Sequence, residues 1–142
     1  MSTMFIAITP TVSVAPQIST DDVTAAAAQG FRTIVNNRPD GESFDQPAGA
    51  EIAAACAAQG LDYVAIPIDH TGFSLEQVEA MAAALANGPV LAFCRSGTRS
   101  CNLWALAAAK GGIAPAEIVE AAGQGGYNVA GLMPLLRQLA GA

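Results

Sequence analysis

Phe93-Cys94-Arg95-Ser96-Gly97-Thr98-Arg99-Ser100 follows the apolar run Pro89-Val90-Leu91-Ala92 and precedes the helical pattern Asn102-Leu103-Trp104-Ala105-Leu106-Ala107-Ala108-Ala109. Cys94 therefore falls where a buried strand ends and a helix begins. The turn between them carries Arg95, Gly97 and Arg99. Successive N–H groups of such a turn converge on one point, and the following helix adds its positive end. An anion at that point is stabilised, whether a phosphate, a sulfate, a persulfide or the thiolate of the cysteine itself.

Outward from this stretch, a repeat of form sets the fold class. Ala27-Ala28-Gln29-Gly30 leads into Arg32-Thr33-Ile34-Val35-Asn36-Asn37, and Ala57-Ala58-Gln59-Gly60 into Asp62-Tyr63-Val64-Ala65-Ile66. Ala83-Ala84-Leu85-Ala86-Asn87-Gly88 leads into the strand before Cys94. Each unit is an alanine-rich helix closed by glycine and followed by a short aliphatic strand. Such units in series predict parallel strands covered by helices. Ser19-Thr20-Asp21-Asp22 and Ser74-Leu75-Glu76-Gln77 read as helix caps, and Pro47 lies near another helix start. Thr11-Val12-Ser13-Val14 alternates and reads as an edge strand. After the Cys94 turn the pattern is helical over roughly 100–110, 115–122 and 129–140, with Gly123–Asn128 joining the last two. The expectation is one α/β domain over 1–142, a short and mostly parallel sheet flanked by helices.

Composition narrows the function. Of 142 residues, 52% are hydrophobic and the net charge is -6, which suits a globular chain and argues against nucleic acid or an anionic membrane as partner. Yet Arg38, Arg95 and Arg99, half of the 6 cations, fall in loops predicted to follow strands, which points to a local anion site. The first ten residues lack the basic and long apolar regions of a signal peptide, and no run approaches the ~20 apolar residues of a membrane span. Cys56, Cys94 and Cys101 show no framework or zinc spacing, so the expectations are a cytoplasmic location and no metal or cofactor.

Ligands of open α/β sheets collect at the carboxyl ends of the strands. That edge is predicted to gather Asn36–Glu42, Asp69-His70-Thr71-Gly72 and the Cys94 turn. Cys94 reads as a nucleophile, Arg99 as a bidentate fork for two oxyanion oxygens, and Ser100 as a hydrogen-bond partner of the sulfur. Arg95, Ser96, Gly97 and Thr98 complete the cradle for a small anionic or phosphorylated substrate, with Arg38, Asp40 and His70 beside it. Asp69 leads as general acid, ahead of Asp40 and His70.

Each of these has a plainer alternative. Cys94 is otherwise a buried thiol, Arg99 a surface ion pair, Arg95 a solvated charge and Asp69 a turn cap. Asp40 reads as a turn residue with Gly41, and His70 as a loop histidine bonded to backbone. Cys101 reads as core filling before it reads as a thiol that resolves an oxidised Cys94. Trp104, Tyr63, Tyr127 and Phe73 fit core, pocket or interface equally, so no oligomeric state follows.

The Phe93–Ser100 segment resembles the loop of Cys-dependent phosphatases, H-C-x-x-G-x-x-R-[ST]. Together with Val12-Ser13-Val14, Gln17-Ile18 and Asn36–Glu42, it makes nearly the whole chain resemble the bacterial β-lactamase hydrolase-like, phosphatase-like domain family, found alone or fused to metallo-β-lactamase-type domains. The resemblance implies a compact dual-specificity-phosphatase-like fold of three layers and a phosphocysteine intermediate. Two departures stand out. Phe93 replaces the histidine of the phosphatase pattern, and Thr98 alone separates Gly97 from Arg99, so the loop is one residue short. Its length matches the C-R-x-G-x-R loop of rhodanese-type sulfurtransferases, whereas the helical C-terminus is similar to that of dual-specificity phosphatases. Phosphatase, persulfide-carrying sulfurtransferase and non-catalytic anion binder therefore stand as readings in that order.

Overall fold

Residues 3–141 are described by a computed structural model. Val90, Leu91, Ala92 and Phe93 form strand β5 (Val90–Phe93), and all of its side chains are buried. Strand periodicity sends them alternately to opposite faces of the sheet. Val90 and Ala92 join a core with Val14, Val35, Met81, Leu103, Leu106, Ile118 and Leu136. Leu91 and Phe93 join a second core with Ile18, Val23, Ile34, Ile52 and Cys56. One central strand thus faces two apolar layers, which is why its sequence is a continuous apolar run rather than an alternation.

The remaining strands are β1 (Ile6–Thr9), β2 (Val12–Ala15), β3 (Thr33–Asn36) and β4 (Asp62–Ala65), in the order β1-β2-β5-β3-β4. β2, β5, β3 and β4 run parallel, and β1 pairs antiparallel with β2. Helices α1 (Thr20–Ala28) and α2 (Gly49–Gln59) cover one face. On the other lie α3 (Leu75–Leu85), α4 (Thr98–Lys110), α5 (Pro115–Gln124) and, after a 3-10 turn (Ala130–Leu132), α6 (Met133–Leu139). This is the three-layer, mostly parallel α/β arrangement with a helical C-terminus that the sequence predicts. No helix among the described residues is long and apolar enough to cross a membrane.

The punctuation follows the expected chemistry. Gly30, Gly60 and Gly88, with φ of 93°, 73° and 82°, take the left-handed conformation that ends each alanine-rich helical stretch. Ser19 with Asp22, and Ser74 with Gln77, form reciprocal capping boxes on α1 and α3. The expected edge strand requires correction. β2 lies inside the sheet, between β1 and β5, and the edge on that side is β1, for whose Ile6–Thr9 the sequence pattern predicts no strand. Pro10 and Thr11 turn the chain back, so residues too short to signal a strand alone gain their pairing from β2.

The central strand is the part of the sheet least able to lose volume. Leu91→Ala empties a fully buried site on the α1–α2 side and is expected to cost about 2–5 kcal/mol in urea unfolding. Phe44→Ser, at a fully exposed loop position, is expected to stay within about 0.5 kcal/mol of the parent.

Candidate active site

The carboxyl ends of β2 and β5 lie together, and the Cys94 N–H donates to the Ala15 carbonyl at 3.3 Å, continuing the ladder one step past the strands. The chain then turns at once. Gly97 takes φ of 91° and α4 starts at Thr98, so Arg99 belongs to the first turn of the helix, where the sequence places a loop. The N-cap residue Gly97 has no side chain to cap this helix start, and the Thr98 N–H reaches only Ser96 Oγ at 3.4 Å. The free N–H groups and positive end of the helix therefore face the Cys94 turn. The Gly97 N–H donates to Cys94 Sγ at 3.1 Å, and the cysteine is wholly buried.

Arg99 is held by acceptors from two other loops. Its Nη1 donates to Glu42 Oε2 at 2.8 Å and to the Ile68 carbonyl at 2.7 Å, while Nη2 donates to Glu42 Oε1 at 2.9 Å. Glu42 Oε1 also accepts from Arg38 Nε at 3.0 Å. The Arg99 hydrogen bonds, aided by Arg38, hold the Glu42 carboxyl at about 2, below its ordinary 4.5. Arg99 is raised in turn, chiefly by Glu42 and further by the negative charge of a Cys94 thiolate.

The arginine fork has a definite open edge. A guanidinium carries five N–H donors in a plane. Glu42 takes the end formed by Nη1 and Nη2, and Ile68 takes the other Nη1 hydrogen. Among the described residues the Nε–H and the outer Nη2–H have no oxygen acceptor; they lie side by side near the Cys94 sulfur, in the geometry that matches two oxygens of a tetrahedral oxyanion.

The other predicted residues divide. Arg38 is buried and donates to Glu42, to Gln17 Oε1 at 3.0 Å and to Ser43 Oγ at 3.2 Å. Arg95 is exposed at the rim, and the Ser96 and Thr98 hydroxyls, 3.1 Å apart, bond to each other on the outer side of the turn. Ser100 Oγ is buried without a hydrogen-bond partner among the described residues, so its expected bond to the sulfur is not formed. Asp40 Oδ1 accepts the Gly49 N–H at 2.8 Å and thereby caps α2. Asp69 Oδ1 accepts from the Thr71 N–H and hydroxyl, which lowers its pKa, and the side chain is exposed, as is that of His70. Cys101 is fully buried, and burial first, then Cys94, pushes its thiol up to about 12, in keeping with the core reading.

Three contributors escape the sequence reading. Glu42 and Gln17 stand inside segments quoted for the resemblance, and of the two acids that follow Arg38, Asp40 and Glu42, nothing in the sequence favours Glu42. Tyr127 gives none beyond its glycine-rich surroundings. Its hydroxyl donates to the Ser96 carbonyl at 3.1 Å, and a Cβ on Gly97 would lie 2.2 Å from that oxygen. A larger cavity lies elsewhere: an apolar groove of ≈ 650 Å³ beside Trp104 and Ile118, at the opposite end of the strands. Among the described residues no group of three or more His, Cys, Asp or Glu side chains is arranged to hold a metal ion.

This three-layer α/β domain has the fold of dual-specificity and protein tyrosine phosphatase-like structures. Residues 4–111 match the model of the beta-lactamase hydrolase-like protein, phosphatase-like domain, and the chain belongs to that family. It is 36% identical over 103 residues to a beta-lactamase hydrolase-like protein of Agrobacterium fabrum, covering 71% of this chain and 24% of that protein. The Xylella fastidiosa protein of the same description is 36% identical over 114 residues, covering 79% and 26%. The chain thus spans about a quarter of the length of the curated relatives it matches. A crystal structure of a candidate phosphatase from Neisseria meningitidis superposes with a TM-score of 0.79 at 28% identity, covering 94% of this chain and 96% of that one.

Two measurements probe this architecture. Because the Glu42 pKa is depressed, its share of stability is present above about 4.5 and is lost as pH falls towards about 2. The melting temperature of the wild type should fall across that window more steeply than that of Glu42→Gln, and parallel curves would remove the ion pair from the account. Gly97→Ala meets both the left-handed φ and the Tyr127 hydroxyl. It should lower stability by about 1–3 kcal/mol in the parent background and by less in Tyr127→Phe.

Proposed function

We propose that the chain is a Cys-dependent phosphatase that hydrolyses phosphate monoesters through a phosphocysteine on Cys94. The observation that carries the reading is the open Nε–Nη2 edge of Arg99, left free because Glu42 and Ile68 saturate the rest of the head group. That edge and the uncapped start of α4 supply donors for the equatorial oxygens of a phosphoryl group. The Cys94 thiolate attacks phosphorus, and the ester oxygen leaves with a proton from Asp69. Water then attacks phosphorus, the S–P bond breaks, and inorganic phosphate and the thiolate are released. Ser100 Oγ, buried and unpartnered, is available to donate to the sulfur as it leaves. The free thiols of Cys56, Cys94 and Cys101 suit a reducing compartment, and on this reading the protein works in the cytoplasm.

One observation favours a second reading. The turn from Cys94 to Arg99 has the length of a rhodanese loop, and a persulfide on Cys94 would accept the Gly97 N–H as the thiol does. The helical chain after the turn, α4 to α6, weighs towards the phosphatase.

Hydrolysis of an aryl phosphate is expected for the wild type, with none above background for Cys94→Ser. Arg99→Ala should lose at least about 100-fold in kcat/KM, with Arg99→Lys recovering little because a lysine cannot replace the two-point edge. Wild-type turnover by Arg99→Ala would end the reading. Sulfur added to Cys94 after thiosulfate, seen by intact mass without phosphate release, would establish the sulfurtransferase. Oxyanion-dependent thermal stabilisation with neither activity would leave an anion binder. As general acid, Asp69 makes a leaving-group prediction: Asp69→Asn should slow an alkyl phosphate at least about tenfold more than a nitrophenyl phosphate, whose leaving group needs no proton.

A further inference from the structure

A second cavity opens beside the Cys94 turn, ≈ 240 Å³ in volume, lined by Gln17, Arg38, Ser43, Asp45, Gln46 and Arg95 among others. It shares a wall with the turn, since Arg95 follows Cys94 and the Gln17 N–H reaches the Arg95 carbonyl at 3.4 Å. Arg38 is 5% exposed, and three of its N–H donors are engaged by Glu42, Gln17 and Ser43. Two of the five remain without an acceptor among the described residues. A buried guanidinium with unused donors beside an open space is costly unless something anionic or aqueous completes it. Arg95 makes no side-chain ion pair or hydrogen bond among the described residues.

The charge balance points the same way. Glu42 is shared between Arg38 and Arg99, so it does not neutralise both. Asp45 is the carboxylate of the lining, and its Oδ1 accepts from Ser43 Oγ at 2.8 Å. With Arg99 counted, three guanidiniums (Arg38, Arg95 and Arg99) face two carboxylates (Glu42 and Asp45), which leaves this region positive in a chain of net charge -6. The Gln17 and Gln46 amides each give their oxygen and one N–H to Arg38 and Ile18, and to Glu42 and Pro39, so each adds at most one neutral donor beside the charge that the space offers.

We infer that this cavity is a second anion subsite, and that the substrate is a small, soluble bis-anionic ester whose second phosphate or carboxylate lies between Arg38 and Arg95 while the first is at Cys94. The inference rests on the phosphatase reading for its first group but not for its second. A soluble ligand is favoured over a bilayer headgroup because the chain as a whole would be repelled by an anionic surface.

The test uses flexible α,ω-alkanediol bisphosphates of three to six carbons against the matching monophosphates. At least one bisphosphate should show kcat/KM about tenfold above its monophosphate. Arg95→Ala should bring that ratio towards one, and Asp45→Asn should raise it. The preference should weaken with salt. Calorimetric titration of Cys94→Ser with the same pairs reads the subsite without turnover. A bisphosphate preference there, with no hydrolysis by the wild type, would retain the subsite and discard the phosphatase. Hydrolysis of monophosphates with equal affinity for both members of every pair would discard the subsite alone. Sedimentation with phosphatidylinositol 4-phosphate vesicles, without binding of any soluble bisphosphate, would overturn the choice of a soluble ligand.

Discussion

The site depends on the two-point bond between Glu42 and Arg99. It ties the loop after β3 to the first turn of α4, and the Ile68 carbonyl on the same guanidinium adds the loop after β4. Three segments far apart in sequence are thereby fixed to one planar group. Surface ion pairs usually contribute little, because two long side chains lose rotamer freedom for a screened attraction. Here the fork is bidentate, Arg38 braces the same carboxylate, and Asn36 Oδ1 accepts the Arg38 N–H at 2.9 Å. The pair orients the arginine: by occupying one edge of the guanidinium it decides which edge faces the cysteine.

The same economy explains the shortened turn. A loop one residue shorter must reach the helix sooner, and Gly97 makes this possible at a φ that a side chain would resist. Tyr127, coming from the far end of the chain, closes over the glycine and fixes the Ser96 carbonyl outward. Phe93 follows from the strand. Its position faces the α1–α2 layer with Ile34, Ile52 and Leu91, an apolar setting that a phenyl ring fills without the desolvation cost of an imidazole.

Much of this is legible in the sequence. Helix–glycine–strand units announce parallel topology because each glycine marks a helix end and each aliphatic run a buried strand. Parallel topology then brings the ends of β3, β4 and β5 to one side whatever their sequence. The β1 edge was not legible, since four residues of mixed exposure carry no period that stands alone. Nor was the partnership of Glu42 with Arg99, which is 57 residues distant in the chain. Local pattern reports secondary structure, whereas side-chain pairing across loops depends on how those loops curl. Asp40 shows the same limit: its sequence setting suits a turn or a site, and the α2 start it caps lies nine residues ahead.

Asp69 poses the sharpest question for the proposed chemistry, because a general acid must hold a proton and Thr71 favours its ionised form. The electrostatics of the bound state bear on this. Asp69 follows Ile68, whose carbonyl touches Arg99, so its loop borders the place proposed for the phosphoryl group. A phosphate dianion there brings like charge to that border and raises the proton affinity of a nearby carboxylate. It also competes for Arg99, whose positive charge otherwise favours ionised acids around it. On this argument the resting carboxylate is the form expected without substrate, and the anion that needs the proton helps to install it.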